Sequence, residues 1–260
     1  MRISSVSMPF LALAAGAVGF YLRLLGLWNA FEERTGLPKH GEPVTFVLIA
    51  LSIALLLVFI IFSVIVFVRH SASSGFENAF GTDPLSYPLV FTLIGVAWLG
   101  ATVKYYLDLG TLWPIPVVDL IFIVLSAFSA ISIALFSIEM YQDPRRKSKF
   151  TLSVVPSLFM CLWLVVLYRR NAANPVLLSY CYECLAIITA TLGFYFTSGF
   201  VYNKPAPGKS LVSYFAAIYF CFVTLADPHT LAVKIIFASL IAINVVHSSM
   251  LIKNLQLKEN

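Results

Sequence analysis

Apolar runs long enough to cross a lipid bilayer recur along almost the whole 260-residue chain. A spanning helix needs about 20 mostly apolar residues, because about 30 Å of hydrocarbon is crossed at about 1.5 Å per residue. Hydrophobic residues make up 60% of the sequence and charged residues 11%, more apolar surface than a water-soluble fold could bury. The sequence therefore predicts an all-α, polytopic transmembrane helix bundle.

The apolar runs divide into about eight spans within one transmembrane domain covering residues 1–260. The predicted spans are approximately residues 7–31, 44–68, 88–109, 117–142, 151–172, 176–202, 210–226 and 230–253. Only Asp227, Pro228 and His229 separate the last two, so we expect a very tight turn or a re-entrant hairpin there. The first span is long enough to be retained as a helix, in contrast to a cleaved signal peptide.

Lysine and arginine residues predict the orientation of these spans, because they are retained on the cytoplasmic side of a membrane. The segment from Asp143 to Lys149 carries four basic residues and is predicted to be cytoplasmic. With eight spans, both termini are then cytoplasmic as well. The formal net charge of +5 does not indicate a nucleic-acid partner, since the cations lie mainly in connections and not on one soluble face. The expected partner is the lipid bilayer.

Ionisable residues inside spans are the strongest functional signal, since each costs about 2.5–3.5 kcal/mol near the bilayer centre and usually has a partner or a role. The six candidates are Arg23, Lys104, Asp108, Asp119, Glu183 and Lys234. They come from five spans, yet in the predicted topology all lie toward the outer face. Together they predict a polar site for a small charged or zwitterionic solute.

A structural alternative exists for each of these residues. Four of them lie close enough to helix ends to reach the water interface without a binding role. These four are Lys104, Asp108, Asp119 and Lys234. Lys104 and Asp108 are four residues apart, so they share a helix face and could neutralise each other. Glu183 and Arg23 lie deeper, so we expect them to be paired with an opposite charge or to act functionally.

Small residues on one helix face predict close helix contacts in the first and fourth spans. In the first span they are Ala12, Gly16 and Gly19, and in the fourth Ser126, Ala127, Ser129, Ala130, Ser132 and Ser137. Cys181 and Cys184 match a C-x-x-C pattern, but they lie within an apolar helix and are expected to act as small hydrophobes. No metal site, cofactor or soluble-enzyme motif is predicted, and the protein is not expected to be an enzyme.

The stretch from Asn174 through Tyr202 to Pro207, with the early Thr35, Gly36 and Leu37, resembles a group of bacterial multi-pass membrane proteins that carry no assigned function. This resemblance implies a location in the bacterial cytoplasmic membrane. It supplies no catalytic or binding residues.

Two function classes follow from these observations. The leading hypothesis is a small-solute permease or channel-like protein, for which a water-accessible cavity should reach Glu183 and Arg23. The alternative is a membrane sensor or accessory subunit whose cytoplasmic loops, chiefly residues 143–149, dock a membrane-protein partner or anionic lipid headgroups. In that case the bundle should be closed and its charges paired.

Overall fold

The computed structural model describes residues 7–29, 42–71, 75–81, 86–110, 116–142, 148–174 and 176–257, and these are almost entirely helical. The helices are α1 Ser7–Asn29, α2 Pro43–Arg69, α3 Phe76–Phe80, α4 Ser86–Leu109, α5 Val117–Gln142, α6 Ser148–Asn171, α7 Cys181–Val201, α8 Pro207–Thr224 and α9 Leu231–Lys253. Two-residue strands, β1 His70–Ser71 and β2 Gln256–Leu257, pair antiparallel. The predicted helical class is confirmed.

Seven of the described helices are long and apolar enough to cross a membrane, namely α1, α2, α4, α5, α6, α7 and α9. The surface of α2 indicates contact with lipid. Its buried face includes Leu55 and Phe59, while the opposite face exposes Ile53, Leu57 and Ile61. A helix at a water interface would carry polar residues on that second face. The chain therefore has the character of a multi-pass membrane protein.

Helix α8 differs from the other predicted spans, because it is 18 residues long and is not among the seven. It packs against α1, α2, α7 and α9, and side chains from every side of it are buried. Protein atoms, and not lipid, therefore surround its polar Ser210, Ser213, Tyr214 and Tyr219. A helix in this position does not need a fully apolar surface, and whether it crosses the whole bilayer stays a prediction.

The helices α4 to α9 form a closed ring, in which each packs against the next and α9 returns to α4. Helices α1 and α2 pack together on the outside of the ring, against α8. Aromatic side chains from α4, α5, α6 and α9 meet inside this helix ring. The side chains of Trp163 and Phe237, for example, have centroids 5.0 Å apart. The polar and apolar cavities described below lie within this ring.

The start of α7 differs from the prediction that a span begins near residue 176. A 3-10 turn at Leu177–Ser179 comes first, and the α-helix begins only at Cys181. The Asn174 side chain stabilises this turn, because it donates to Ser179 Oγ at 2.9 Å and accepts from Val176 N at 3.0 Å. As a result Glu183 lies in the first turn of α7 and not in its interior.

The predicted small-residue faces do form helix contacts. A Cβ added to Gly16 would lie 2.8 Å from Phe222 Cβ, and one added to Gly19 would lie 2.7 Å from Val223 Cγ2. In α5, Ser126 is fully buried and accepts a hydrogen bond from Trp98 Nε1 of α4 at 3.1 Å. Small residues thus allow α1 to approach α8, and α5 to approach α4.

Short helix α3 covers the end of the ring where α4 begins. Phe76 and Phe80 stack on each other at a centroid distance of 4.6 Å and contact His247 of α9. The Asn254 side chain donates to the carbonyl oxygens of Ala79 and Gly81, at 3.1 and 2.9 Å. These contacts close this end of the ring with buried aromatic side chains.

Candidate functional site

Most charged side chains buried within the bundle lie at one end of it, which we call the polar end. It comprises the C-terminal ends of α1, α4, α6 and α8 and the N-terminal ends of α2, α5, α7 and α9. All six sequence-predicted residues lie there. The structure does not bring them together in one group, and most of them have different partners.

A cavity of about 200 Å³ opens within the helix ring at the polar end. Its lining residues are Phe122, Trp163, Val166, Leu167, Arg170, Asn171, Glu183, His229 and Val233. This volume equals that of about six or seven water molecules in the liquid, each of which takes about 30 Å³. The cavity can therefore hold a solute of a few heavy atoms, with charges of both signs in its wall.

The cationic wall of the cavity is Arg170, near the end of α6. Its guanidinium donates to Asp119 Oδ1 at 2.6 Å and also to the hydroxyl of Tyr105. Tyr105 in turn donates to the same Asp119 oxygen at 3.0 Å. This triad joins α4, α5 and α6 and orients the guanidinium, while half of the Arg170 side chain stays exposed.

The acidic wall of the cavity is Glu183, whose side chain is only 13% exposed. Its Oε2 atom lies 3.8 Å from His229 Nε2, which is too far for a hydrogen bond. His229 Nε2 is buried and has no hydrogen-bond partner among the described residues. An unsatisfied imidazole nitrogen and a carboxylate therefore face each other across a gap at the cavity.

His229, in the turn between α8 and α9, predicts a pH dependence of stability. Burial, with the nearby charges of Lys234 and Arg23, lowers its pKa from 6.5 to about 4. The unfolded chain therefore binds the proton more tightly, and stability falls as the pH drops below 6.5. We expect the wild type to lose about 2 kcal/mol from this residue between pH 7 and pH 5. His229→Asn should lose less over that range, as measured by denaturant unfolding in detergent; equal losses would contradict the prediction.

Arg23 does not line the cavity. Its Nε donates to Asp227 Oδ1 at 2.8 Å, both side chains are 4% exposed, and its Nη2 donates to the Ser179 carbonyl oxygen at 3.1 Å. The guanidinium also lies over the Tyr182 ring, 5.2 Å from the centroid. Burial raises the pKa of Asp227 and the Arg23 charge opposes that shift. Arg23 is therefore paired with an opposite charge, as expected for a charge at that depth, and its partner Asp227 joins α1 to the α8–α9 turn.

The remaining sequence-predicted residues lie away from the cavity lining. Lys104 and Asp108 pair with each other at 3.0 Å on one exposed face of α4, as their spacing predicts. Lys234 is half-buried in the first turns of α9, where its charge acts on Asp227 and His229. The predicted set of six is therefore not one connected site, because only Glu183 lines the cavity directly and Asp119 reaches it through Arg170.

Aromatic side chains close the ring beneath the cavity. Phe159 is fully buried, and its centroid lies 5.8 Å from that of Trp98, 5.1 Å from Phe122 and 5.6 Å from Trp163. Beyond this layer lies an apolar cavity of about 30 Å³, next to His247 and Tyr87. Packed aromatic side chains therefore separate the polar cavity from the opposite end of the bundle.

Three residues of the polar end were not among the sequence-predicted site residues: Arg170, His229 and Asp227. Each of the three has an unusual position in the sequence. Arg170, with Arg169, lies on the non-cytoplasmic side of the predicted topology, where basic residues are expected to be few. The other two are polar residues of a turn only three residues long between apolar spans. Charges in such positions need a partner on a neighbouring helix.

The cysteines do not form a metal cluster in the described part of the chain. Cys181 and Cys184 are half-buried free thiols, and no group of three or more His, Cys, Asp or Glu side chains there is placed to hold a metal ion.

No protein-family model matches the chain, and no curated protein or solved structure matches it significantly.

Proposed function

We propose that this chain is a small-solute permease of the bacterial cytoplasmic membrane that binds a zwitterion in the polar cavity. The observation that carries the proposal is a 200 Å³ cavity with Arg170 on one wall and Glu183 on another. A guanidinium binds a carboxylate strongly, and a carboxylate binds an ammonium group. Solutes carrying both groups at a short distance, such as amino acids, suit this arrangement.

The aromatic layer supports a permease state that is open on the outer side and closed toward the cytoplasmic side. Alternating access requires that a central site be open to one side at a time. The Phe159 cluster and the α3 cover with Phe76 and Phe80 would block the path to the other side. In the proposed orientation the polar end faces outward, and both termini are cytoplasmic.

One feature favours the alternative, an accessory or sensor protein. A permease cavity was expected to reach both Glu183 and Arg23, but Arg23 is closed in by Asp227 and Tyr182. A bundle built only to dock a partner would hold its charges in such pairs. The basic segment through which that partner was expected to dock is residues 143–149. Residues 143–147 of it lie outside the described residues, and the Lys149 ammonium lies 3.7 Å from the Glu77 carboxylate.

Thiol labelling in intact cells tests the permease proposal. Glu183→Cys, in a background without the four native cysteines, should react with a membrane-impermeant maleimide added outside, because the side chain borders the cavity. Ala190→Cys, also on α7 but fully buried, should not react, and the exposed Lys104→Cys should react at once. Lys209→Cys should react only after permeabilisation.

Ligand-induced stabilisation then identifies the solute class. A panel of amino acids, amines and carboxylates is added to purified protein, and unfolding temperature is recorded. A zwitterion present at about 100 times its Kd should stabilise the wild type by about 2.7 kcal/mol. Glu183→Gln should abolish this stabilisation, while the control Lys104→Gln/Asp108→Asn should keep it. The compound that stabilises the protein should also be exchanged across the membrane of proteoliposomes that contain it. No labelling at position 183 and no stabilising compound would favour the accessory protein.

A further inference from the structure

We propose that a second site, on the outside of the ring, binds an anionic phospholipid. A groove of about 460 Å³ lies between α6 and α7 at the end opposite the polar end, within the range of about 300–1,000 Å³ that is usual for ligand pockets. Its lining residues are Val154, Ser157, Tyr195, Phe196, Ser198, Gly199, Tyr202, Lys204, Ala206 and Lys209. The site is independent of the permease proposal.

The end of the groove next to the α7–α8 turn is basic, and we call it the mouth. Lys204 and Lys209 both line it and are exposed. The turn between α7 and α8 holds Lys204 in place, because Lys204 N donates to the Gly199 carbonyl at 2.8 Å and Asn203 adopts a left-handed φ of 57°. This is the helix C-terminal motif in which Asn can replace Gly. The backbone of Lys204 is thereby fixed, and both cations lie at the mouth of one groove.

The start of α8 adds a third positive contribution. Its N-cap residue, Ala206, lines the groove and provides no side-chain hydrogen bond to the first backbone N–H groups. The N-terminal end of a helix carries a partial positive charge and binds phosphate. A lysine in that first turn, here Lys209, is unfavourable for the helix itself, which fits a role in binding an anion.

The rest of the groove suits an acyl chain. Tyr195 is 63% exposed on the outside of the ring, beside Phe196 and Val154. Ser157 lies about one turn of α6 farther from the lysines than Val154, and its buried hydroxyl has no hydrogen-bond partner in the described residues. A cationic mouth followed by an apolar wall matches the order of headgroup and acyl chain in a phospholipid.

The test compares phosphatidylglycerol with phosphatidylcholine, each added to the purified full chain in mild detergent. We expect phosphatidylglycerol to raise the unfolding temperature more, and native mass spectrometry to show it retained. Lys204→Gln/Lys209→Gln should weaken its apparent affinity by roughly 30-fold. The control Arg69→Gln/Lys253→Gln removes equal charge from exposed positions at the same end and should leave that affinity unchanged.

Ser157→Phe keeps all charges and narrows the groove, so it should also weaken retention of the lipid. Equal responses to the two lipids in the wild type would overturn the proposal. So would equal losses in the two charge variants, since binding would then reflect diffuse surface charge. Stabilisation by inorganic phosphate as large as that by the lipid would also overturn it.

Discussion

Arg23→Met is expected to lower the free energy of unfolding by about 3–5 kcal/mol, because it leaves Asp227 buried without its partner. The two side chains are 4% exposed and form a 2.8 Å hydrogen-bonded pair. The second carboxylate oxygen, Asp227 Oδ2, already lacks a partner among the described residues. Reversible unfolding in mixed detergent micelles measures the change.

The double variant Arg23→Met/Asp227→Asn should recover much of this loss, since it leaves no unpaired buried charge. The matched control is Lys104→Met, which breaks the exposed pair with Asp108 and should change stability by only about 0–1 kcal/mol. If Arg23→Met is as mild as Lys104→Met, the pair is not buried in the folded protein.

The second large effect is expected at Gly95, where α4 and α5 approach closely. A Cβ at this position would lie 2.9 Å from the Ala130 carbonyl oxygen and 3.0 Å from Ala134 Cβ. Backbone cannot move aside as a flexible side chain can, so Gly95→Leu should separate the helices and destabilise the fold by about 3 kcal/mol or more. The unfolding temperature in detergent reports the change.

Gly100 is the matched control, because it lies on the same helix and a Cβ there would meet nothing within 4 Å. Gly100→Leu should be neutral or slightly stabilising, since leucine favours a helix more than glycine does. Similar losses for the two variants would show that helix propensity, and not the α4–α5 contact, explains the result.

The helices and their close contacts could be predicted from local sequence. Apolar length locates a helix wherever the chain must satisfy its own backbone hydrogen bonds. Small residues show where helices can touch, as at Gly16, Gly19 and Ser126. The spacing of Lys104 and Asp108 was enough to predict their pairing, because both lie on one helix face.

The composition of the site could not be predicted in the same way. Arg23 and Asp227 are 204 positions apart in the chain, and their pairing depends on which helices become neighbours. Arg170 lines the cavity because α6 lies beside α5, whose Asp119 binds the guanidinium. Contacts between distant helices are set by packing, about which hydropathy carries no information.

The sequence by itself determined that this is a helical membrane protein with costly charges in one half of its bundle, because apolar length and charge position are local properties. Only the tertiary structure decided that α8 lies at the centre of its neighbours, that Arg23 is sealed in an ion pair, and that Glu183 faces a cavity with Arg170 and His229. Whether a buried charge is neutralised or left available to a solute depends on its neighbours in space.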